Sequence, residues 1–281
     1  MVVLQIDSTK LSSLAEEMRQ HIVQMIVAAG SGHPGGSLSI ADLLTVLYFH
    51  TMRIDPSRPD WPRRDRLVLS KGHAAPALYA TLAMRGFFPV EELSTLRQLG
   101  SRLQGHPDKK KLPGIEMSTG SLGQGLSVAN GMALGLRLQG IDSHVFVIMG
   151  DGEMQEGQIW EAAMSTAHYR LEQVIGVLDN NGLQIDGPVA QVKGIEPLAE
   201  KWRAFGWYVQ EIDGHNLAET ADALEAAKER QGQPTLLLAH TIKGKGVGFM
   251  EGKAEWHGKA PSAAEVAGLK FHKEEEVDRH V

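Results

Sequence analysis

One stretch of the chain, residues 144–187, constrains the fold more than any other. Its first apolar run ends in Gly-Asp-Gly at 150–152, a helix-like segment follows, and a second apolar run ends in Asp-Asn-Asn at 179–181. Strand, helix and strand in this order predict a βαβ unit, whose crossover is right-handed and whose two strands are parallel. Asp151 and Asn181 would then emerge together at the carboxyl ends of the strands, where open α/β sheets bind ligands.

The side chains at these two strand ends indicate the kind of ligand. Asp151 offers a carboxylate and Asn181 an amide oxygen, which suit Mg²⁺ or Ca²⁺ better than zinc. Gly152 lets a ligand approach the backbone closely, and the start of the following helix is an anion site. Asp-Gly and Asn-Asn-Gly are also ordinary turn sequences. Their occurrence at the ends of two neighbouring apolar strands favours a metal-bridged diphosphate.

The rest of the chain continues the alternation of strands and helices. This pattern predicts an α/β fold of three layers, α/β/α, with a mainly parallel sheet covered by helices on both faces. No composition break divides the sequence, so residues 1–281 are predicted to form a single domain, with an exposed charged tail from Lys270 onward. The predicted strands are 66–70, 144–149, 174–178, 207–212 and 234–242, and the predicted helices are 11–29, 39–47, 74–85, 90–99, 121–138, 155–169 and 216–230.

The helix predicted at 121–138 is unusual because it contains Gly123, Gly125, Gly131 and Gly135. Each glycine inside a helix costs up to about 1 kcal/mol relative to alanine. Close contact with another element is the gain that would offset this cost. We therefore expect the helix to be buried in the core or at a subunit interface.

Composition excludes several functional classes. The net charge of −6 argues against a nucleic-acid-binding surface. No apolar run is long enough to span a membrane, and the N-terminus lacks the features of a signal peptide. The absence of cysteine excludes disulfides, thiolate catalysis and cysteine-bound metals, and together these features predict a cytoplasmic protein.

Four histidines lie in glycine-containing loops: His33, His73, His106 and His257. Histidine is the side chain best suited to exchange protons near neutral pH. The four lack the His-x-x-x-His spacing of a zinc helix, so proton transfer and hydrogen bonding to a hydroxylated substrate fit them better. The remaining histidines are interpreted as structural or surface residues: 21, 50, 144, 168, 215, 240, 272 and 280.

These motifs together resemble those of one family. GSGHPGGSLS, LSKGHAAPALY, GHPD, STGSLGQGLS, GDGEMQEGQIWEAA, LDNNGLQIDG and WHG resemble transketolase motifs and stand in transketolase order. The likeness extends from about residue 11 to residue 263. It implies the diphosphate-binding module of the thiamine diphosphate-binding fold, with thiamine diphosphate and Mg²⁺ or Ca²⁺ as cofactors.

The resemblance also implies a role for each matching residue. Asp151, Asn181 and the backbone carbonyl of Leu183 would bind the metal. His33 and His257 would move protons on the sugar, and His106 would hold the hydroxyls of the donor. The residues that would bind the cofactor or lie beside it are His73, Gly120, Leu122, Gly152, Glu156, Asn181 and His257.

The length departs from the family pattern, because a complete transketolase has roughly twice as many residues as the 281 of this chain. The pyrimidine-binding domain, which supplies the glutamate that activates the cofactor, and a C-terminal domain would follow this part. The resemblance therefore implies the diphosphate-binding subunit of a split transketolase, assembled with a separate C-terminal subunit as α₂β₂. Such an enzyme transfers a two-carbon ketol unit from a ketose phosphate to an aldose, and the partner would supply most ligands for the substrate phosphates.

Three alternatives stay open at this stage. A subunit of a 1-deoxyxylulose-phosphate synthase-like or other thiamine enzyme is favoured slightly by the Lys-Gly-Lys-Gly sequence at 243–246, whereas His33-Pro34-Gly35-Gly36 favours transketolase. A non-catalytic thiamine diphosphate-binding protein would not need His33, His106 and His257. A nucleotide-binding loop at 244–246 would lack the spacing and the strand–helix context of a P-loop.

Overall fold

The computed structural model of the chain describes residues 7–269, and a parallel sheet of five strands runs through it. The strands are β1 (Arg66–Leu69), β2 (Val145–Gly150), β3 (Val174–Asn180), β4 (Leu183–Gln184), β5 (Gly187–Pro188), β6 (Tyr208–Asp213) and β7 (Thr235–His240). Five of them form the sheet in the order β1-β2-β3-β7-β6, and every neighbouring pair is parallel. β4 and β5 pair antiparallel as a separate short hairpin.

Helices cover the sheet. They are α1 (Ser8–Ala29), α2 (Pro34–Leu38), α3 (Ala41–Val46), α4 (Ala75–Met84), α5 (Gln124–Leu138), α6 (Gly157–His168), α7 (Val189–Val192), α8 (Leu198–Ala204), α9 (Leu217–Glu229) and α10 (Ala263–Val266). A π-helical turn, Leu47–Thr51, continues α3. Short 3₁₀ helices lie at Gly72–Ala74, Val90–Thr95, Gly152–Gln155 and Ala254–Trp256.

The side chains of the central strands alternate between two hydrophobic cores. In β2, Phe146 and Ile148 join the core formed with α1, α3, α4 and α9. Val145, Val147 and Met149 point the other way, into the core formed with α5, α6 and α8. This alternation follows from the period of two along a strand, and a strand buried on both faces reads as a continuous apolar run. The predicted three-layer α/β/α arrangement with a mainly parallel sheet is confirmed.

Helix α1, whose apolar pattern covers 11–29 and whose candidate start and stop residues in the sequence are Asp7 or Ser8 and Gly30, extends from Ser8 to Ala29. The side chain of Asp7 accepts a hydrogen bond from Lys10 N at 3.0 Å and caps the first turn. Gly30 ends the helix in the left-handed region, with φ of 58°. The long first helix is therefore specified largely by local sequence.

Several helix bounds differ from the sequence-based expectation. α3 begins at Ala41 instead of 39, α5 begins at Gln124 instead of 121, and the helix predicted at 90–99 is only the short 3₁₀ helix Val90–Thr95. The glycine-containing loop around His33 is interrupted by α2, which begins at Pro34, because proline is favoured at the first helical position, where its missing N–H costs nothing. The helix predicted from about 155 begins at Gly157 and is preceded by the 3₁₀ helix Gly152–Gln155. The β4–β5 hairpin and α8 have no counterpart in the sequence-based prediction.

The packing expected of the glycine-containing helix is found at one position. A Cβ on Gly125 of α5 would lie 2.8 Å from Ser70 Cα, so only glycine permits this approach to the end of β1. Gly123 precedes the helix with φ of 85°, and Gly131 and Gly135 have no described atom within 4 Å of a Cβ position. The expectation of close packing thus holds at Gly125 and fails within this chain at Gly131 and Gly135.

None of the helices between residues 7 and 269 has both the length and the apolar character needed to cross a membrane. The prediction of a single domain over 1–281 stays a prediction, since it includes residues outside the described range. The charged tail predicted from Lys270 also lies outside that range.

Candidate functional site

Asp151 and Asn181 lie side by side at the carboxyl edge of the sheet, as the βαβ argument predicts. The register pairs Gly150 of β2 with Asp179 of β3, and Asp151 N donates to Asp179 O at 3.1 Å. The two carboxylate oxygens of Asp151 accept hydrogen bonds from the backbone N–H groups of Gly152 at 2.7 Å and Gly182 at 2.5 Å. Asp151 therefore joins the segments that follow β2 and β3.

Asp151 has the properties of a cation ligand. Its side chain is buried, and burial together with the charge of Asp179 raises its pKa to about 6. The hydrogen bonds that it accepts among residues 7–269 come from backbone amides rather than from a cationic side chain. A buried carboxylate in this setting is stabilised by a bound metal ion, so the residue fits the predicted role.

Asn181 and Leu183 supply two further oxygens. Asn181 Nδ2 donates to Asp179 Oδ2 at 3.0 Å, which fixes the amide orientation, and Asn181 Oδ1 accepts from Leu183 N at 3.1 Å. The carbonyl of Leu183 accepts from Lys243 Nζ at 3.2 Å, so it already faces a cation. One carboxylate, one amide oxygen and one carbonyl form a set of hard ligands of the kind that Mg²⁺ and Ca²⁺ prefer.

The structure gathers the four loop histidines into one cluster. His33 lies just before α2, His73 in the 3₁₀ helix after β1, and His257 just after Trp256. Ring centroids are 5.5 Å apart for His33 and His73, 5.5 Å for His33 and His257, and 5.0 Å for His73 and His257. His106 lies at the edge of the cluster, 6.3 Å from His33.

All four imidazoles favour the neutral form. Burial, and then the charge of Arg97, lowers the pKa of His33 to about 4, and burial with Lys243 lowers that of His257 to about 3. Burial and Lys71 hold the pKa of His73 well below its ordinary value, and burial also lowers the pKa of His106. A neutral imidazole both donates and accepts a hydrogen bond. The cluster can therefore exchange protons with hydroxyl and carbonyl groups.

The neutral histidines should make the stability of the cofactor-free chain depend on pH. His33 and His257 titrate at 6.5 in the unfolded chain, but at about 4 and about 3 in the folded chain. Between these values the unfolded state binds more protons, so their stabilising contribution is complete above pH 6.5 and is lost as the pH falls toward 4. When the pH is lowered from about 7.5 to about 5, we expect the unfolding temperature to fall less in the His33→Gln/His257→Gln double variant than in the wild type. Parallel pH curves in thermal denaturation would contradict this assignment.

Two buried lysines of the site are not identified from the sequence. Lys71 Nζ forms an ion pair with Asp179 and donates to Gly36 O at 2.9 Å. Lys243 Nζ contacts His257 Nδ1 at 3.1 Å, in addition to the carbonyl of Leu183. Burial, followed by the charge of Lys71, lowers the pKa of Lys243 to about 8, so it remains largely charged at neutral pH. A buried ammonium held by a carbonyl and an imidazole fits an anionic group such as a diphosphate.

The glycines of the His-Pro-Gly-Gly sequence make room for these lysines. A Cβ on Gly35 would lie 3.0 Å from Lys243 Cγ and 2.9 Å from Trp256 O. A Cβ on Gly36 would lie 3.3 Å from Lys71 Nζ. The glycines of α2 thus allow the helix to pack directly against both ammonium-bearing side chains.

Glu153 is a further residue that the sequence interpretation misses. It is buried, and its Oε1 accepts from Ser70 Oγ at 2.5 Å and from Gly123 N at 2.7 Å. Its Oε2 accepts from Gly150 N at 3.1 Å. Glu153 therefore connects the ends of β1 and β2 to the start of α5. The sequence feature that could identify Glu153 is its position directly after Gly150-Asp151-Gly152.

The remaining predicted cofactor residues lie along the same edge. A Cβ on Gly120 would lie 2.9 Å from His106 Cδ2, so this glycine packs against the histidine cluster. The carbonyl of Leu122 accepts from Gln158 Nε2 at 2.8 Å. Gly152 donates to Asp151, and Glu156 is exposed just before α6, with its Cβ near Gly123.

The fold and the site together define an α/β protein with a polar ligand site at the carboxyl edge of a parallel sheet, containing oxygen donors, buried lysines and neutral histidines. Residues 11–274 match the family described as "Transketolase, thiamine diphosphate binding domain". The chain therefore belongs to the transketolase family, as the motifs predicted, and contains its thiamine diphosphate-binding domain.

Similar proteins include both separate subunits and complete enzymes. The chain is 52% identical over 247 residues to a 6-deoxy-6-sulfo-D-fructose transketolase subunit of Clostridium sp., covering 88% of this chain and 90% of that one. It is 43% identical to an apulose-4-phosphate transketolase subunit of Phocaeicola vulgatus, covering 92% of each. The crystal structure of transketolase from Campylobacter jejuni superposes with a TM-score of 0.88 at 34% identity, covering 95% of this chain and 44% of that enzyme. These matches confirm the predicted fold.

Proposed function

We propose that this chain is the diphosphate-binding subunit of a two-chain, thiamine diphosphate-dependent transketolase. The assembled enzyme transfers a two-carbon ketol unit from a ketose phosphate, or a similar anionic ketose, to an aldose acceptor. The observation that carries the proposal is the packing of four neutral histidines beside the carboxyl edge that holds Asp151 and Asn181. A protein that only binds the cofactor has no need of this cluster.

The residues at the edge divide between the parts of the cofactor. Asp151, Asn181 and the carbonyl of Leu183 would hold Mg²⁺ or Ca²⁺. Lys243, His73, His257 and the backbone of Gly152 would hold the diphosphate, and Gly120, Leu122 and Glu156 would contact the rest of the cofactor. When bound, thiamine diphosphate supplies the stabilisation of carbanions that breaking and forming the carbon–carbon bond requires.

The histidines act on the sugar. His33 and His257 exchange protons with its hydroxyl and carbonyl oxygens, which their neutral state permits in both directions. His106 is more exposed and holds the hydroxyls of the donor. The chain thus provides proton transfer and orientation, and the cofactor provides the covalent chemistry.

Relatives support a separate partner chain. The match extends over 90% and 92% of two proteins that are themselves named as transketolase subunits, so this chain corresponds to them in extent. Their names refer to a sulfonated and a phosphorylated sugar, both anionic. We therefore assign this chain an anionic ketose substrate and a C-terminal subunit as partner. The proposal also includes the α₂β₂ assembly and the cytoplasmic location expected from the sequence.

The structure bears on one of the alternatives. A P-loop places a helix directly after its glycine-containing turn, whereas β7 is followed by turns from 243 to 252. The Lys-Gly-Lys-Gly sequence instead directs the buried Lys243 toward Leu183 and His257. The Lys-Gly-Lys-Gly sequence does not distinguish a transketolase from another thiamine enzyme.

A product assay tests the proposal. The chain is purified with the protein that binds it, loaded with thiamine diphosphate and Mg²⁺, and supplied either with a ketose phosphate and an aldose or with pyruvate and an aldehyde. We expect a new ketose lengthened by two carbons in the first mixture and no carbon dioxide in the second. Carbon dioxide release from pyruvate would instead identify a 1-deoxyxylulose-phosphate synthase-like enzyme, and inactivity in both mixtures would favour a binding protein.

A further inference from the structure

A buried charged cluster lies beside the loop that carries Lys243. The sequence alone does not connect this cluster with function. It consists of Arg19 on α1, Asp42 on α3 and His215 in the loop between β6 and α9, with side-chain exposures of 8%, 7% and 12%. Arg19 NH2 and His215 Nδ1 both contact Asp42 Oδ2, the histidine at 2.7 Å. Burial would raise the pKa of Asp42, but the hydrogen bonds from His215 and Arg19 hold it below its ordinary value. Asp42 is therefore ionised and paired with Arg19.

His215 extends this cluster to the loop that carries Lys243. Its Nε2 accepts a hydrogen bond from the backbone N–H of Ile242 at 2.8 Å. Since Nε2 accepts, the ring proton lies on Nδ1 and points to Asp42, which fixes both the tautomer and the ring plane. A neutral imidazole thus joins a buried ion pair to the amide next to Lys243.

The same cluster contacts the loop on the other side of Lys243. A Cβ on Gly246 would lie 3.0 Å from Arg19 Nε, so the backbone packs directly on the arginine. The amide of Gly244 donates to Gly35 O at 3.0 Å and holds the middle of the loop against α2. Contacts at 242, 244 and 246 leave Lys243 little freedom.

We propose that His215 is a positioning residue: its Nε2 anchors the amide of Ile242 and thereby directs the Lys243 ammonium to the anion subsite beside Leu183 and His257. The anchoring of the loop is inferred from the hydrogen bonds alone, whereas its effect on diphosphate binding rests on the proposed function. His215 contacts neither Leu183 nor His257 in the described hydrogen bonds, so it acts through Lys243.

Two substitutions separate the contacts of the imidazole. In His215→Gln the side-chain oxygen can occupy the place of Nε2 and accept from Ile242, but the bond to Asp42 is lost. In His215→Asn the amide nitrogen can occupy the place of Nδ1 and donate to Asp42, but the acceptor for Ile242 is lost. The pair therefore distinguishes loop anchoring from simple satisfaction of Asp42.

Amide hydrogen exchange on the full chain without cofactor gives the first readout. We expect exchange in the segment 241–248 to be about tenfold faster in His215→Asn than in the wild type, and within about twofold of it in His215→Gln. Exchange in β3 should not change, which serves as the control for folding. Equal acceleration in β3 and in the loop, acceleration in both variants alike, or wild-type exchange in His215→Asn would each overturn the proposal.

The affinity for inorganic pyrophosphate with Mg²⁺, measured by calorimetry on the same proteins, gives the second readout. We expect about a fivefold loss in His215→Asn and retention in His215→Gln, because only the former releases Lys243. Wild-type affinity in His215→Asn would refute the link from the loop to the anion subsite. If the wild-type chain alone bound no pyrophosphate, the assignment of the diphosphate subsite to this chain by itself would fail, while the exchange result would still decide whether His215 anchors the loop.

Discussion

Asp151→Ala is expected to abolish the Mg²⁺-dependent binding of thiamine diphosphate to the assembled enzyme. The substitution removes the carboxylate of the proposed metal site and also the acceptor that joins Gly152 to Gly182. Loss of a residue that hydrogen-bonds a metal ligand, without binding the metal itself, lowers metal affinity by about 10- to 100-fold. Loss of a direct ligand should therefore lower it on the order of 100-fold or more. Calorimetric titration of the cofactor at several Mg²⁺ concentrations measures the effect.

Two further variants make this result specific. Asp222→Ala removes an exposed carboxylate from α9 and should leave cofactor affinity unchanged. Asp151→Asn keeps the size of the side chain and removes its charge. The folded-state pKa of Asp151 is raised to about 6, so its ionised form opposes folding above that pH in the metal-free chain. Asp151→Asn should therefore unfold no earlier than the wild type near neutral pH, yet lose stabilisation by Mg²⁺. Unchanged cofactor affinity in Asp151→Ala would remove the metal assignment.

The parts of this structure that the sequence predicts are those specified locally. Apolar runs bounded by turn residues identify the strands, and the Asp7 and Gly30 signals mark both ends of α1. The strand order is not accessible in this way, because the pairing of β3 with β7 joins residues about 60 positions apart, such as Ile175 and Thr235. The non-local β1–β2 pairing likewise needs the tertiary structure.

The candidate site shows the same division. The four histidines are recognisable because each has a glycine beside or near it in sequence, a local signal. Lys71 and Lys243 escape such recognition, since lysine is ordinarily exposed and only distant residues, Asp179 and His257 among them, explain their burial. The sequence places His215 among the structural or surface residues, but its carboxylate partner, Asp42, lies 173 positions away in the chain.

The purified chain alone is expected to show ketol transfer at least about 1,000-fold slower than the complex with its partner subunit. The resemblance to transketolases assigns the glutamate that activates the cofactor to the pyrimidine-binding domain, and loss of a general acid–base group costs about 10²- to 10⁴-fold.

The binding properties of the same chain provide the control for this prediction. Asp151, Asn181 and Lys243 all belong to the chain itself, so the isolated protein should still bind Mg²⁺ with inorganic pyrophosphate while it fails to turn over sugars. Adding the partner should restore turnover without a large change in pyrophosphate affinity, because the partner contributes to activation and not to the diphosphate subsite. Full turnover by the pure chain would refute the two-chain enzyme. Loss of both pyrophosphate binding and turnover in the isolated chain would show instead that the partner is needed to form the diphosphate subsite.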